Sequence, residues 1–398
     1  MKAYIKYNIY SIICASTLCF KGLRNLITLT VEQRKWVEEF YKKLENKLDW
    51  VASEVQDIIP YTTDENGKYF DKRFDKYSSG VQWWTNGFYA GMLWLLYKHT
   101  GKDVYKTVAK KQESMLDEAF ALYDELNHDV GFMWGLASKP SYLFDDDKAS
   151  RVRTLMAANI LAARANIKGK YIRAWNHHDY TIIDCLMNVP LLYWASHEVN
   201  DDRYKHIAMM HVDSAIKHHV REDGSVVHIA SHNPLKDEVI ETLAGQGYAV
   251  GSSWTRGQAW AVYGFILNYI HTGEQRYLDT AIKVTDYFID EAKKHNYKVP
   301  IDFRQPTESN YLDNSATVCA ACGMIELYKV TCNEKYRDEA ILLLQHLEGD
   351  CDFSKENHSV VQKCSEAYSY GQHIPLIYAD FFLVEAILKL LGSDFLIW

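Results

Sequence analysis

A short motif recurs four times where one helical stretch gives way to the next: TGKDVY ending at Tyr105, NDDRY at Tyr204, TGEQRY at Tyr277 and CNEKY at Tyr336. In each, a Gly, Asn or Asp is suited to close a helix in a left-handed C-cap, and an acidic residue then sits near the next N-terminus. A Tyr follows and enters the next apolar stripe. Four such matches at equivalent junctions specify a repeated helical hairpin. The segments between them carry the matching periodicity. Val31, Trp36, Phe40, Leu44, Leu48 and Val51 recur at three- to five-residue steps, which predicts a helix from about 31 to 55. Similar runs follow at about 86–99, 103–124, 150–166, 182–199, 203–219, 255–272, 276–294, 315–331, 334–348 and 374–391. With a short helix from Asp129 to about Ala137, these make about twelve helices in six hairpins of about sixty residues each. Strand-like alternation is scarce, and DGSVVHIA near Asp223 predicts one short hairpin arm.

Hairpins repeated over a whole domain either stack openly or close into a ring. Large residues on both faces of several helices favour two concentric layers, an all-α (α/α)6 barrel. The 398 residues contain 20 Gly and 7 Pro and no linker rich in them, so residues 31–398 read as a single barrel domain. Polar loops of such a barrel gather at one mouth. Aromatic residues make up 14% of the chain and crowd beside Asp, His and Asn, which suits a cleft that stacks on and hydrogen-bonds a polar ring. Lys and Arg number 44 against 52 Asp and Glu, a net charge of −8 with no basic block, which argues against a nucleic-acid or anionic-membrane partner. Residues 1–30 stand apart. Lys2 and Lys6 precede a weakly apolar run, NIYSIICASTLCF, readable either as a signal peptide or as an N-terminal extension. The first reading places the protein in the periplasm or outside the cell, the second in the cytoplasm. Nothing later reaches the ~20 consecutive apolar residues of a membrane span.

Asp residues at helix starts are usually caps. Asp129, in NHDVGFMWG, serves as one, yet His128, Phe132 and Trp134 would also place its carboxylate in an aromatic pocket that raises its pKa. Asp184 lies in the apolar segment TIIDCLMNVPLLYWAS, with Asn188 one turn on. A charge there is costly unless paired or protonated, so it is either a buried Asp bonded to Asn188 or a functional carboxylate. In GQGYAVGSSWTRGQAW, glycines 245, 247 and 251 permit a tight loop, and Arg256 and Trp260 share a helix face. They are either a carboxylate fork with a stacking wall, or an Arg paired to an acid with a core Trp. Cys319 and Cys322 form a CxxC inside a helical run and read as core packing. His177 and His178 sit in a polar loop without a second ligand cluster, so no metal site is expected.

The pieces WWTNGFYAGMLWLLY, HDVGFMWGLAS, IRAWN, IIDCLMNVPLLYWAS, GSSWTRGQAWAVYGF, LDNSA and IPLIYADFFLVEAIL resemble, in order and over about residues 35–391, the unsaturated glucuronyl hydrolases, glycoside hydrolase family 88. The resemblance implies an (α/α)6 barrel that releases a 4,5-unsaturated uronic acid from the non-reducing end of oligosaccharides made by polysaccharide lyases. It carries the catalytic aspartates onto Asp129 and Asp184, and substrate contacts onto Trp84, His128, His228, Gln246, Arg256 and Trp260. The leaving sugar falls near QKCSEAYSYGQH. No cofactor is implied. In the implied chemistry a protonated Asp184 hydrates the C4=C5 bond, an anionic Asp129 raises its pKa, and Arg256 clamps the substrate carboxylate. An unsaturated rhamnogalacturonyl hydrolase is the neighbouring alternative, disfavoured because IIDCLMN stands where those enzymes show a WxDD-like segment. A non-catalytic sugar-binding helical toroid is the alternative from another class.

Overall fold

The computed structural model describes residues 26–75 and 80–398, so the run at residues 1–20 lies outside the described residues. The helices are α1 (Val31–Glu54), α2 (Phe88–Thr100), α3 (Asp103–Met115), α4 (Val130–Asp145), α5 (Lys148–Ala163), α6 (Cys185–Asn188), α7 (Pro190–Val199), α8 (Asp202–His219), α9 (Thr255–Thr272), α10 (Gln275–Lys294), α11 (Asn314–Thr331), α12 (Glu334–Leu347) and α13 (Ile377–Leu390). α6 and α7 are one helix interrupted at Val189, where Pro190 begins the second part.

Two layers follow from which faces are apolar. α11 is buried continuously from Asn314 to Lys329 and α13 along its whole length. A helix buried on all sides belongs inside. α2, α4, α6–α7, α9, α11 and α13 pack each against the next, and α13 returns to α2, closing an inner ring. α1, α3, α5, α8, α10 and α12 form the outer layer, each burying one stripe. In α10 that stripe is Tyr277, Ala281, Val284, Phe288 and Ala292. Five hairpins are consecutive, whereas the sixth joins α13 to α1, the two ends of the described chain. This is the all-α (α/α)6 barrel. None of the described helices is long and apolar enough to cross a membrane.

The junction motif works as its residue types require. Gly101, Asn200 and Gly273 close α2, α7 and α9 in the left-handed conformation. At CNEKY the left-handed residue is Cys332 (φ 58°), and Asn333 caps α12 instead. Each repeated Tyr then reaches the preceding outer helix. Tyr105 donates to Asp49 (2.6 Å), Tyr204 to Asn159 (2.7 Å) and Tyr277 to Asp213 (3.1 Å), and Tyr336 faces Asp286. The tyrosines therefore stitch the outer layer circumferentially.

Three expectations are corrected. The helix read over 129–137 is α4 and runs to Asp145 through Pro140; Trp94 Nε1 donates to the nearby Ala137 carbonyl at 3.0 Å, and packing on all sides carries the helix past the proline. α3 stops at Met115 and continues as a 3-10 turn over Leu116–Leu122. The strand expected near Asp223 begins later. Ile229–His232 is the central strand of an antiparallel sheet between Tyr180–Ile182 and Val239–Leu243. The barrel floor is closed by Phe395, Ile397 and Trp398, whose indole donates to Glu385 at 3.1 Å and lies parallel to Phe382.

The Tyr stitches set a stability test. Tyr105→Phe loses only the bond to Asp49, at a cost of about 1–2 kcal/mol. Tyr105→Ala also empties a fully buried site and costs about 3–5 kcal/mol. Denaturant midpoints should rank wild type above Phe above Ala, and equal midpoints for Phe and Ala would refute the packing role.

Candidate active site

The inner helices all begin at one end of the barrel, reached by the long outer-to-inner connections. Trp84 opens the 3-10 turn before α2, Asp129 and Asp184 precede α4 and α6, Trp254 precedes α9, and Asp313 precedes α11. Unpaired amide N–H groups and the positive ends of the helix dipoles collect there, so the mouth favours an anion although the chain is net negative.

Asp129 and Asp184 occupy N-cap positions, but neither side chain caps its helix. Both turn instead toward His128, whose Nε2 lies 3.1 Å from Asp184 Oδ1 and 3.3 Å from Asp129 Oδ1. The binding atoms of all three lie within 4.8 Å of one another. His128 Nδ1 accepts the backbone N–H of Trp175 at 3.1 Å, so the ring proton sits on Nε2 and points at the acids. Burial lowers the pKa of His128 and the two carboxylates raise it, with a net upward direction. A second proton would nevertheless have to sit on Nδ1, against the Trp175 amide hydrogen. The ring is therefore held neutral. Trp175 itself has φ 44°, a left-handed backbone that is strained for a bulky residue.

Burial pushes Asp129 up to about 7; the Asp184 charge adds to this, while His128, Arg164 and Asn188 oppose it. This modifies the expectation that burial would act chiefly on Asp184, because Asp129 is 6% exposed and Asp184 is only half-buried. The pocket also differs in its walls. Trp134 stacks on Phe120 at 4.2 Å, and Trp175 takes the place beside His128. Asn188 does not bond the Asp184 carboxylate. Its amide donates to Asp129 Oδ1 at 3.5 Å and to the Asp184 backbone carbonyl at 3.4 Å.

His228 is buried, and burial pushes its pKa down to about 4. Nδ1 lies 3.1 Å from the Gln246 amide nitrogen and 3.2 Å from the Ala244 carbonyl oxygen, and Nε2 is buried without a protein partner. Gln246 holds the segment after Ser365, with its side-chain amide on the Glu366 carbonyl and its own carbonyl on the Tyr368 amide. Trp84 is half-buried above Tyr378 (4.9 Å) and Phe132.

Arg256 and Trp260 lie deeper than the other expected contacts. Arg256 is 1% exposed, and its fork is committed to Asp313 (2.8 Å), the Ser365 carbonyl and the Glu366 carbonyl (2.6 Å). These bonds run from Nη1 and Nη2 and make the guanidinium an anchor of the 365–366 loop. Trp260 is likewise 1% exposed, packed on Phe132 and Phe382, and is core rather than wall. Cys319 and Cys322 are buried, as expected of core residues. His177 and His178 are exposed in their loop. Trp175 was not singled out in advance, because its contribution is a backbone amide, which no residue type announces.

No family model matches the chain. An unsaturated glucuronyl hydrolase of a Bacillus species is 34% identical over 281 residues, spanning 67% of this chain and 74% of that protein. The unsaturated chondroitin disaccharide hydrolase of Streptococcus pneumoniae is 32% identical over 300 residues, 73% of this chain and 72% of that protein. The crystal structure of an unsaturated glucuronyl hydrolase from Bacillus sp. matches with a TM-score of 0.80 at 29% identity, covering 87% of this chain and 96% of that one. With relatives of this identity and coverage, and the same helical ring, the chain belongs to the unsaturated glucuronyl hydrolases, a family of glycoside hydrolases.

Proposed function

We propose that the protein hydrates the C4=C5 bond of a 4,5-unsaturated uronic acid at the non-reducing end of lyase-generated oligosaccharides, with Asp184 as acid and base. The carrying observation is the pair of aspartates that begin helices without capping them and converge on one histidine. Such a close pair retains a shared proton near neutrality, because burial of Asp129 opposes full ionisation. Asp184 is the more exposed member and the one that substrate reaches.

Asp184 adds this proton to C4, and positive character develops at C5 and the ring oxygen. Water attacks C5 while Asp184 takes up its proton, which restores the acid. The C5 hemiketal opens to a ketone, and the hemiacetal left at C1 expels the leaving sugar as an alcohol, giving an aldehyde. Asp129 shares the proton of the pair and orients the sugar hydroxyls. The substrate carboxylate is met by His228 Nε2 and the helix N-termini, and Trp84 supplies a stacking face. Gln246 and Arg256 act on the leaving sugar indirectly, by fixing the loop that carries Tyr368 and Tyr370. The glycosaminoglycan degradation named for the Bacillus enzyme, and the chondroitin disaccharides named for the streptococcal one, make uronates of that type the substrates to try first.

Asp184→Asn should lower turnover of an unsaturated chondroitin disaccharide, followed by loss of alkene absorbance, by about 10²-fold or more. Near-normal turnover would remove Asp184 from the reaction.

The proton carried by the pair also sets the pH dependence. Asp129 has its folded pKa raised to about 7, so kcat/KM should fall about tenfold per pH unit above neutrality. Stability follows the same sign. The contribution of this proton is fully present below the unfolded pKa of about 4 and is lost as pH rises through about 7. Asp129→Asn should therefore impair turnover yet raise the melting temperature above pH 7, with little gain at pH 4. A lower melting temperature at pH 8 would contradict the burial argument.

His128, Asp129 and Asp184 also have the spacing of a metal-ligand group. The proton on His128 Nε2 denies a metal its lone pair, because a ligating nitrogen must be deprotonated. Dialysis against EDTA should leave the rate unchanged, and a loss restored by one divalent ion would reverse this assignment.

A further inference from the structure

We propose that Asn188 is a positioning residue that caps the helix begun by Asp129 and so releases the Asp129 carboxylate for the reaction. The inference rests on the reading of Asp129 and Asp184 as the reacting pair. An N-cap side chain normally accepts the N–H of the second or third helical residue. Three other aspartates in this fold do so: Asp147 takes the amides of Ala149 and Ser150, Asp201 that of Arg203, and Asp313 that of Ser315. Asp129 does not. The third amide of α4 belongs to Phe132, and its N–H is donated at 2.8 Å to Oδ1 of Asn188, a residue of the neighbouring inner helix. With that amide satisfied from outside, the third-residue donor of α4 is no longer open to the Asp129 side chain.

The other end of the Asn188 amide completes the arrangement. Nδ2 donates to Asp129 Oδ1 and to the Asp184 backbone carbonyl, so one fully buried side chain touches the helix starts of both acids. Asp184 is released differently. The Leu186 and Met187 amides are taken by the backbone carbonyls of Ile183 and Asp184 in a tight first turn. Only Asp129 depends on a side chain from another helix for its freedom.

The groups facing Asp129 are His128, Asp184, Arg164, Asn188 and the Cys185 thiol. In Asn188→Ala the Phe132 amide is orphaned, and the Asp129 carboxylate is the nearest acceptor able to fold back as an ordinary cap. An amide bond to the carboxylate favours its charged form. The alkaline limb of the rate profile should then move to lower pH, and kcat should fall about tenfold or more with KM changed less than about twofold. Asn188→Asp keeps the acceptor for Phe132 but sets a second carboxylate against Asp129, so its limb should move to higher pH. A merely structural residue would not drive the two limbs in opposite directions. Shifts of the same sign, or unmoved limbs with a lowered rate, would overturn the proposal. If the alanine variant does not fold, the isosteric aspartate still decides by the direction of its limb.

The Asp129 carboxyl titration followed by ¹³C NMR needs no substrate and separates the two readings. Wild-type protein that does not turn over unsaturated uronides overturns the reaction. An Asp129 titration unchanged in both variants overturns the cap.

Discussion

The active site depends on one close contact between two inner helices. A Cβ added at Gly131 would lie 2.7 Å from the Cα, backbone oxygen and Oδ1 of Asn188, so α4 and α6 meet where one has no side chain. Asp129 stands two residues before that contact and Asp184 four residues before Asn188. The approach therefore fixes the distance between the two acids before any substrate arrives. A wider crossing would separate the carboxylates, leave the Phe132 amide to Asp129, and turn both aspartates into ordinary helix caps. Preorganisation here resides in backbone packing, which costs no rearrangement when charge develops.

The electrostatics of the mouth follow from its being built at helix starts. The chain is net negative, yet its substrate is an anion. Bulk charge cannot hold it, and buried Arg256 is bonded to Asp313 and two loop carbonyls. What remains are the amides at the helix N-termini and His228, whose buried Nε2 has no protein partner. A neutral site of this kind binds an anion without neutralising the acids beside it. A guanidinium bonded directly to Asp129 would pull its pKa down further than Arg164 does and remove the proton that hydration requires.

Much of the fold was legible because it repeats. The junction tyrosines announced the hairpins, and their hydroxyls proved to join neighbouring helices of the outer layer. The sixth hairpin was not legible as a pair, because its helices α1 and α13 lie at opposite ends of the described sequence and only closure brings them together. Cys332 taking the left-handed position was equally hidden, since residue preference pointed to Asn333. In the site, motif and periodicity located Asp129, Asp184 and His128. They did not say which acid lies deeper, because depth is set by neighbouring helices rather than by the apolar residues flanking an Asp in its own segment. Arg256 shows the same limit. A helix face shared with Trp260 is consistent with a ligand fork and with a structural anchor, and only the position of residues 365–366, more than a hundred residues downstream, distinguishes them.

The least visible component is the one that sets the direction of proton traffic. Trp175 contributes a single amide hydrogen, held in place by a left-handed backbone and by packing in a small cluster with Ala174, Ile182 and Ile229. Its bond to His128 Nδ1 fixes the tautomer. Were Nδ1 free, His128 could take a second proton from the buried pair and leave both aspartates ionised, with nothing to deliver to C4. With Nδ1 occupied, the histidine can only donate, so the proton stays on the carboxylates. The strain of one backbone residue and the burial of one aspartate therefore act on the same quantity, the protonation of the pair. The barrel's two rigid layers are what allow both to persist in the folded state.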